Sequence, residues 1–221
     1  MPASAISRET VSQIRLAGWL YLIIIVCGLT AELGVRTQLV DPADAAGTAA
    51  AILARPGLFK LAIAADLVMA MADAGVAILL FLIFRSVAPG LALAAMVFRL
   101  IQTLIIAVNL MAMQAAWLTL AGGGPPQQAL FLLDLHAHGY DLGLFFFAIN
   151  SVLTGLLVWR SKLFGRVFGL GLMAAGLVYL GGSSLHFFAP EHLAAFTPAY
   201  GLTLLAELAF CLRLILQKRS A

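Results

Sequence analysis

Arg99 is the residue whose setting most demands chemistry. It stands inside an apolar run with Gln102 and Asn109 on the same helical stripe. Asp66 and Asp73 lie seven residues apart on one face of a second apolar run, and Glu207 sits near the middle of the last. A charge at the centre of a bilayer costs about 2.5–3.5 kcal/mol on insertion scales, so charges there find partners. Asp73 and Glu207 should lie near the midplane, with Arg99 somewhat nearer the cytoplasm. The simplest arrangement pairs Arg99 with one or both acids and brings Gln102 and Asn109 close. Asp73, Arg99, Gln102, Asn109 and Glu207 thus form a candidate intramembrane cluster. It could lock helices in register, conduct protons or ions, or hold a ligand.

A second set falls toward the opposite surface. Asp134, His138 and Asp141 are spaced i, i+4, i+7 and share a stripe of any continuous helix, while His136 points elsewhere on it. His186, His192, Asp66 and Glu32 are expected at the same level, and Glu32 with Arg36 makes a favourable i, i+4 pair. Imidazole and carboxylate together bind zinc or iron, or move protons. His138, Asp141 and His186 are the candidate metal ligands. Wetted interfacial side chains are the alternative, because no H-E-x-x-H or comparable spacing occurs.

The elements that must position these residues are six apolar runs, roughly 16–36, 59–84, 91–119, 138–159, 166–188 and 198–217. Each reaches the length of about 20 residues that a spanning helix needs. The expected fold is all-α: a polytopic transmembrane helix bundle forming a single integral membrane domain over 1–221. Ala88-Pro89-Gly90 and Gly122-Gly123-Gly124-Pro125-Pro126 break the runs. Asp41-Pro42 reads as the start of a short Ala-rich interfacial helix over 43–54, and Thr197-Pro198 as the capped start of the sixth span. Residues 127–135 could form another short helix leading into the fourth span.

With the N-terminus inside, nine basic residues fall on inner segments: Arg8, Arg15, Arg85, Arg160, Lys162, Arg166, Arg213, Lys218 and Arg219. Only Arg36, Arg55 and Lys60 fall outside. That bias puts both termini in the cytoplasm, which requires an even number of spans.

Composition narrows the class. Of 221 residues, 63% are hydrophobic and 10% charged, and the mean hydropathy is +1.04. A soluble domain usually carries about 25% charged residues. The net charge of +3 comes from basic residues at the ends of apolar runs, with no basic stripe interleaved with aromatics, so nucleic acid is not an expected partner. Cys27 and Cys211 lie within apolar runs and read as packing residues. The first run continues through Ala31, Leu33 and Val35, which favours an uncleaved helix over a signal peptide.

Gly169-Leu-Gly171-Leu-Met-Ala174 matches the dinucleotide-binding string but has no strand before it, so it is rejected. The pairs Gly139/Gly143 and Gly165/Gly169 suit close helix approach. Trp19, Tyr21, Trp117, Tyr140 and Trp159 read as interfacial anchors.

Several stretches, in order along nearly the whole chain, resemble a known family. They are Arg15-Leu-Ala-Gly-x-x-Tyr21, Ala31-Glu32-x-x-Val35-Arg36, and Phe98-Arg99-Leu-Ile-Gln102 with Asn109 following. Then come His138-Gly-Tyr140 with Leu142-Gly-Leu-Phe-Phe146, Arg160-Ser161 with Arg166-Val-Phe-Gly169, and Ala175-Gly-Leu-Val-Tyr179. They are similar to the bacterial membrane family called domain of unknown function 4386. Gly165 stands where that family usually has proline. The resemblance implies a multi-helix protein of the bacterial inner membrane and supplies no catalytic residues.

Three functions are compatible with these residues. One is a non-enzymatic accessory or small-ligand-binding membrane protein. Another is a small ion-coupled transporter using Arg99, Asp73 and Glu207, with a homo-oligomer as a remedy for the missing inverted repeat. The third is an intramembrane enzyme, dependent on a metal or haem, with its site at His138, Asp141 and His186.

Overall fold

The computed structural model describes residues 8–218; Arg219, counted above on the inner side, lies outside them. Six helices are long and apolar enough to cross a membrane: α1 (Arg8–Leu39), α3 (Pro56–Phe84), α4 (Pro89–Ala121), α5 (Pro126–Ser161), α6 (Arg166–Phe188) and α7 (Pro190–Ile215). The short helix α2 (Ala45–Ala54) precedes α3. No strand occurs among the described residues.

Local chemistry sets the boundaries. Pro56, Pro89 and Pro126 each occupy the first helical position, where the missing N–H is not needed. Helix α4 stops at Gly122, and Gly123 takes φ +73°, a left-handed turn that glycine adopts without strain. Lys162 adopts the left-handed conformation (φ 56°) that closes α5.

Three expectations are corrected. The cap of α2 is Asp44, whose carboxylate accepts the Gly47 N–H at 2.8 Å, while Asp41 accepts from Ala43 in the preceding turn. Thr197 caps no helix: its backbone is already helical and its hydroxyl donates to the Leu193 carbonyl one turn back. Residues 127–135 are not a separate helix but the first turns of α5, which has no glycine or proline after Pro126 to interrupt it before Gly139. At 36 residues, α5 is about 54 Å long at 1.5 Å per residue. That exceeds the roughly 30 Å of hydrocarbon, so its ends project beyond the apolar layer.

The helices pack as a closed ring in chain order: α1 on α3, α3 on α4, α4 on α5, α5 on α6, α6 on α7, and α7 back on α1. One end of the bundle holds both described chain ends, where Arg15 Nε donates to the Gln217 carbonyl at 3.0 Å. We call it the terminal end; Phe84, Phe164 and Arg213 meet there. At the far end α2 lies on α5. The outer faces are apolar and uncovered: Leu104, Val108, Met111 and Leu177 are all more than 60% exposed. Such a belt on six long helices has hydrocarbon as its natural solvent, so the apolar helices are suited to a lipid bilayer.

Helices α5 and α6 approach each other closely enough to bring backbone against backbone. A β-carbon on Gly155 would fall 2.5 Å from the Gly169 carbonyl oxygen, and one on Gly169 would fall 2.6 Å from that of Gly155. Gly176 opposes Ala148 and Val152 in the same way farther along. Of the expected pairs, Gly169 packs tightly on α5, whereas Gly165 meets only its own neighbours at ordinary distances.

Candidate functional site

The centre of the ring draws a side chain from every spanning helix: Tyr21 from α1, Asp73 from α3, Arg99 from α4, Phe147 from α5, Tyr179 from α6 and Glu207 from α7. Arg99 is 1% exposed. Its Nε and Nη2 both donate to Asp73 Oδ1, at 2.8 and 2.5 Å. The Thr103 hydroxyl lies 2.7 Å from Asp73 Oδ2 and 2.8 Å from the Arg99 carbonyl, so its one hydrogen serves either acceptor. The guanidinium carbon sits 5.1 Å from the Tyr21 ring centre and 5.2 Å from that of Phe147. A delocalised cation between two π faces gains stabilisation of the kind strongest in desolvated sites.

Glu207 is the second acid of this centre. It lies within electrostatic reach of Arg99 and Asp73, beside the Tyr179 hydroxyl, and its Oε1 is buried with no hydrogen-bond partner. Gln102 Oε1 and Asn150 Nδ2 are likewise buried and unpartnered. Arg99, Asn150 and Thr154 line a small crevice among apolar residues, with room for about one water molecule. Two carboxylates therefore surround one guanidinium. The centre holds one more acidic group than cations, in a place where charge is expensive.

Nearer the far end, Arg36 bridges two acids. Its Nε donates to Glu32 at 2.7 Å and its Nη1 to Asp66 at 2.5 Å, and its guanidinium lies 5.8 Å from the Tyr140 ring centre. Glu32 is exposed, whereas Asp66 is fully buried with Oδ1 unpartnered. Arg36 closes a stretch of α1, Thr30–Arg36, wound as a π-helix. Wider winding of this kind recurs at functional sites.

A third group joins α5 to α6. Asp141 accepts from the Ser183 hydroxyl at 2.8 Å and pairs with His186 Nδ1. The ring of His138 lies against that of His186, with centres 4.4 Å apart and planes tilted by 35°. His138 Nδ1 is 3.0 Å from the Asp134 carbonyl. His192 is apart from them, exposed beside Glu191. Among the described residues no group of three or more His, Cys, Asp or Glu side chains is arranged to hold a metal ion.

The structure thus brings Arg99 onto Asp73, with Glu207 close, and does not bring Asn109 to them. Asn109 Nδ2 instead donates to the His136 carbonyl at 2.6 Å and lies 3.0 Å from His136 Nδ1. Gly139 makes room for it, since a β-carbon there would fall 2.2 Å from Asn109 Oδ1. Glu32 and Asp66 belong to Arg36, away from the Asp141 group. Tyr21, expected as an interfacial anchor, is 2% exposed and packs on Arg99. Thr103 and Ser183 were not singled out. Their spacing could have revealed them: Thr103 is one turn after Arg99, and Ser183 is one turn before His186.

No curated protein and no solved structure matches the chain. The family described as domain of unknown function (DUF4386) matches residues 16–217. That match takes in five of the six spans whole, most of α1 and every residue of the central cluster, and on it the chain belongs to the DUF4386 family.

Proposed function

We propose that this protein is a non-enzymatic, small-ligand-binding membrane protein that works as an ion-coupled carrier, with Asp73, Arg99 and Glu207 as its coupling centre. The observation that carries this reading is the second acid of that centre, beside an arginine that already has one. Asp73 holds the guanidinium with both its oxygens engaged, and Glu207 keeps a buried oxygen unpartnered. A carboxylate in that position is neutralised by a proton or a monovalent cation. Uptake and release of that cation then change the charge at the point where all six helices meet. Coupling follows if the helices rearrange as the charge changes.

The same proposal includes one integral domain over the whole chain, both termini in the cytoplasm and residence in the bacterial inner membrane, on the Lys and Arg bias given above. A homo-oligomer would supply the second half that carriers of this kind obtain from an internal repeat.

The test is charge movement. Protein in liposomes adsorbed on a sensor membrane is given jumps in proton or sodium concentration at fixed ionic strength. A transient current is expected for one of the two cations, falling to the level of empty liposomes in Glu207→Gln. A His192→Ala variant, altered at an exposed residue apart from the centre, is expected to retain the current. A current unchanged in Glu207→Gln, or none for either cation from folded protein, would overturn the reading.

A further inference from the structure

The paired imidazoles of His138 and His186 have a feature that the central site does not explain. Both are anchored through the same ring atom. His138 Nδ1 faces the Asp134 backbone carbonyl at 3.0 Å, and His186 Nδ1 faces the Asp141 carboxylate. A carbonyl and a carboxylate only accept, so in each neutral ring the hydrogen is on Nδ1 and the lone pair is on Nε2. Asp141 is in turn fixed by the Ser183 hydroxyl at 2.8 Å. A histidine held through Nδ1–H by a carbonyl or carboxylate, with Nε2 unengaged, is the orientation that metal-ligating histidines take from their surroundings.

The spacing suits one ion. A ring centre lies roughly 3.2 Å from a metal held at Nε2, given metal–nitrogen bonds of about 2.0–2.1 Å. Two centres 4.4 Å apart, with planes tilted by 35°, lie within the span of two such legs, and a turn of the rings that opens their planes brings both Nε2 atoms onto one ion. We infer that His138 and His186 form a two-imidazole site for a borderline divalent transition metal of the zinc, nickel and copper class. Asp141 is the residue that orients His186 and not a ligand, because its two oxygens are committed to Ser183 and His186. Water completes the coordination, and the site is open to it: the His138 side chain is 40% exposed. It bridges α5 and α6 at the far end, so a bound ion would tie those two helices together there. The inference is independent of the ion-coupled reading, since no residue of the central cluster takes part.

The test uses Cu²⁺ alone as the probe, because copper binds nitrogen sites most tightly in this series. The full chain, untagged and in detergent, is titrated with Cu²⁺ and followed by electron paramagnetic resonance. The expected result is one ion per chain with a two-nitrogen hyperfine pattern. Either His138→Ala or His186→Ala is expected to abolish that pattern, and His192→Ala to leave it intact. Asp141→Asn should keep both nitrogens and weaken binding roughly 10–100-fold. Copper bound with undiminished affinity in the His138→Ala/His186→Ala double variant, or no copper bound by the folded protein, would overturn the site. An unaltered affinity in Asp141→Asn would remove the role given to Asp141. Because the double variant leaves Glu207 untouched, its cation-driven currents test the central reading separately.

Discussion

The double variant Asp73→Asn/Glu207→Gln is expected to lose about 3–5 kcal/mol of stability, more than the two single variants combined. The reason lies in which partner can discard its charge. A carboxylate stranded in the bundle can take up a proton and become neutral. A guanidinium does not give one up in proteins. With Asp73→Asn alone, Glu207 still stands within electrostatic reach of Arg99 and supplies an oxygen with no other partner. With Glu207→Gln alone, the bonds from Arg99 to Asp73 are untouched. Only the double variant leaves a cation that is 1% exposed with no acid beside it. Reversible unfolding in mixed detergent micelles measures the non-additivity directly. Asp73→Leu/Arg99→Met, which removes the pair and fills the space with apolar atoms, should recover much of the loss. Additive single-variant costs would show that Glu207 does not share the guanidinium.

The second large effect is expected where α5 crosses α6. Gly155→Ala and Gly169→Ala should each cost about 1–3 kcal/mol by overpacking, and Gly155→Leu should prevent the two helices from seating. The clash is with backbone: the new β-carbon would lie 2.5–2.6 Å from a carbonyl oxygen of the opposite helix. A side chain there could rotate away; a carbonyl bonded into its own helix cannot. Gly201→Ala is the control, because nothing lies within 4 Å of its added carbon. It should be neutral or gain up to about 1 kcal/mol from reduced backbone freedom in the unfolded chain. Thermal unfolding in one detergent ranks all four variants. Equal costs at Gly155 and Gly201 would contradict the close approach.

Much of the architecture was legible because hydrocarbon imposes a simple rule: long apolar runs become spanning helices. The Arg99–Asp73 pair was legible for the same reason, since a charge within a run needs a partner at its own depth. What escaped was rotation about each helix axis. Asn109 shares a stripe with Arg99 and Gln102, yet α4 turns enough along its length for Asn109 to face His136 on α5. The aromatic lining escaped because Tyr21 near a predicted span end looks the same in sequence whether it points to headgroups or to Arg99. Thr197-Pro198 misled because proline at a first helical position marks a start only where the preceding residue is extended, and here the chain already winds from Pro190.

The closed ring also says something about how the protein is made. Five of its six seams join helices that follow one another from the ribosome, so each can form as its second helix arrives. The sixth joins the oldest helix to the youngest, and there Gly18 meets Leu214 and Ile215 while Cys211 donates to the Gly18 carbonyl at 3.3 Å. Until α7 arrives, α1 waits with one flank open, and the Arg99–Asp73 pair waits without its second acid. A nascent chain halted before α7 would keep the Arg99–Asp73 pair intact but carry that open flank of α1 into the membrane, and the missing seam at Gly18 is what sets it apart from the closed ring.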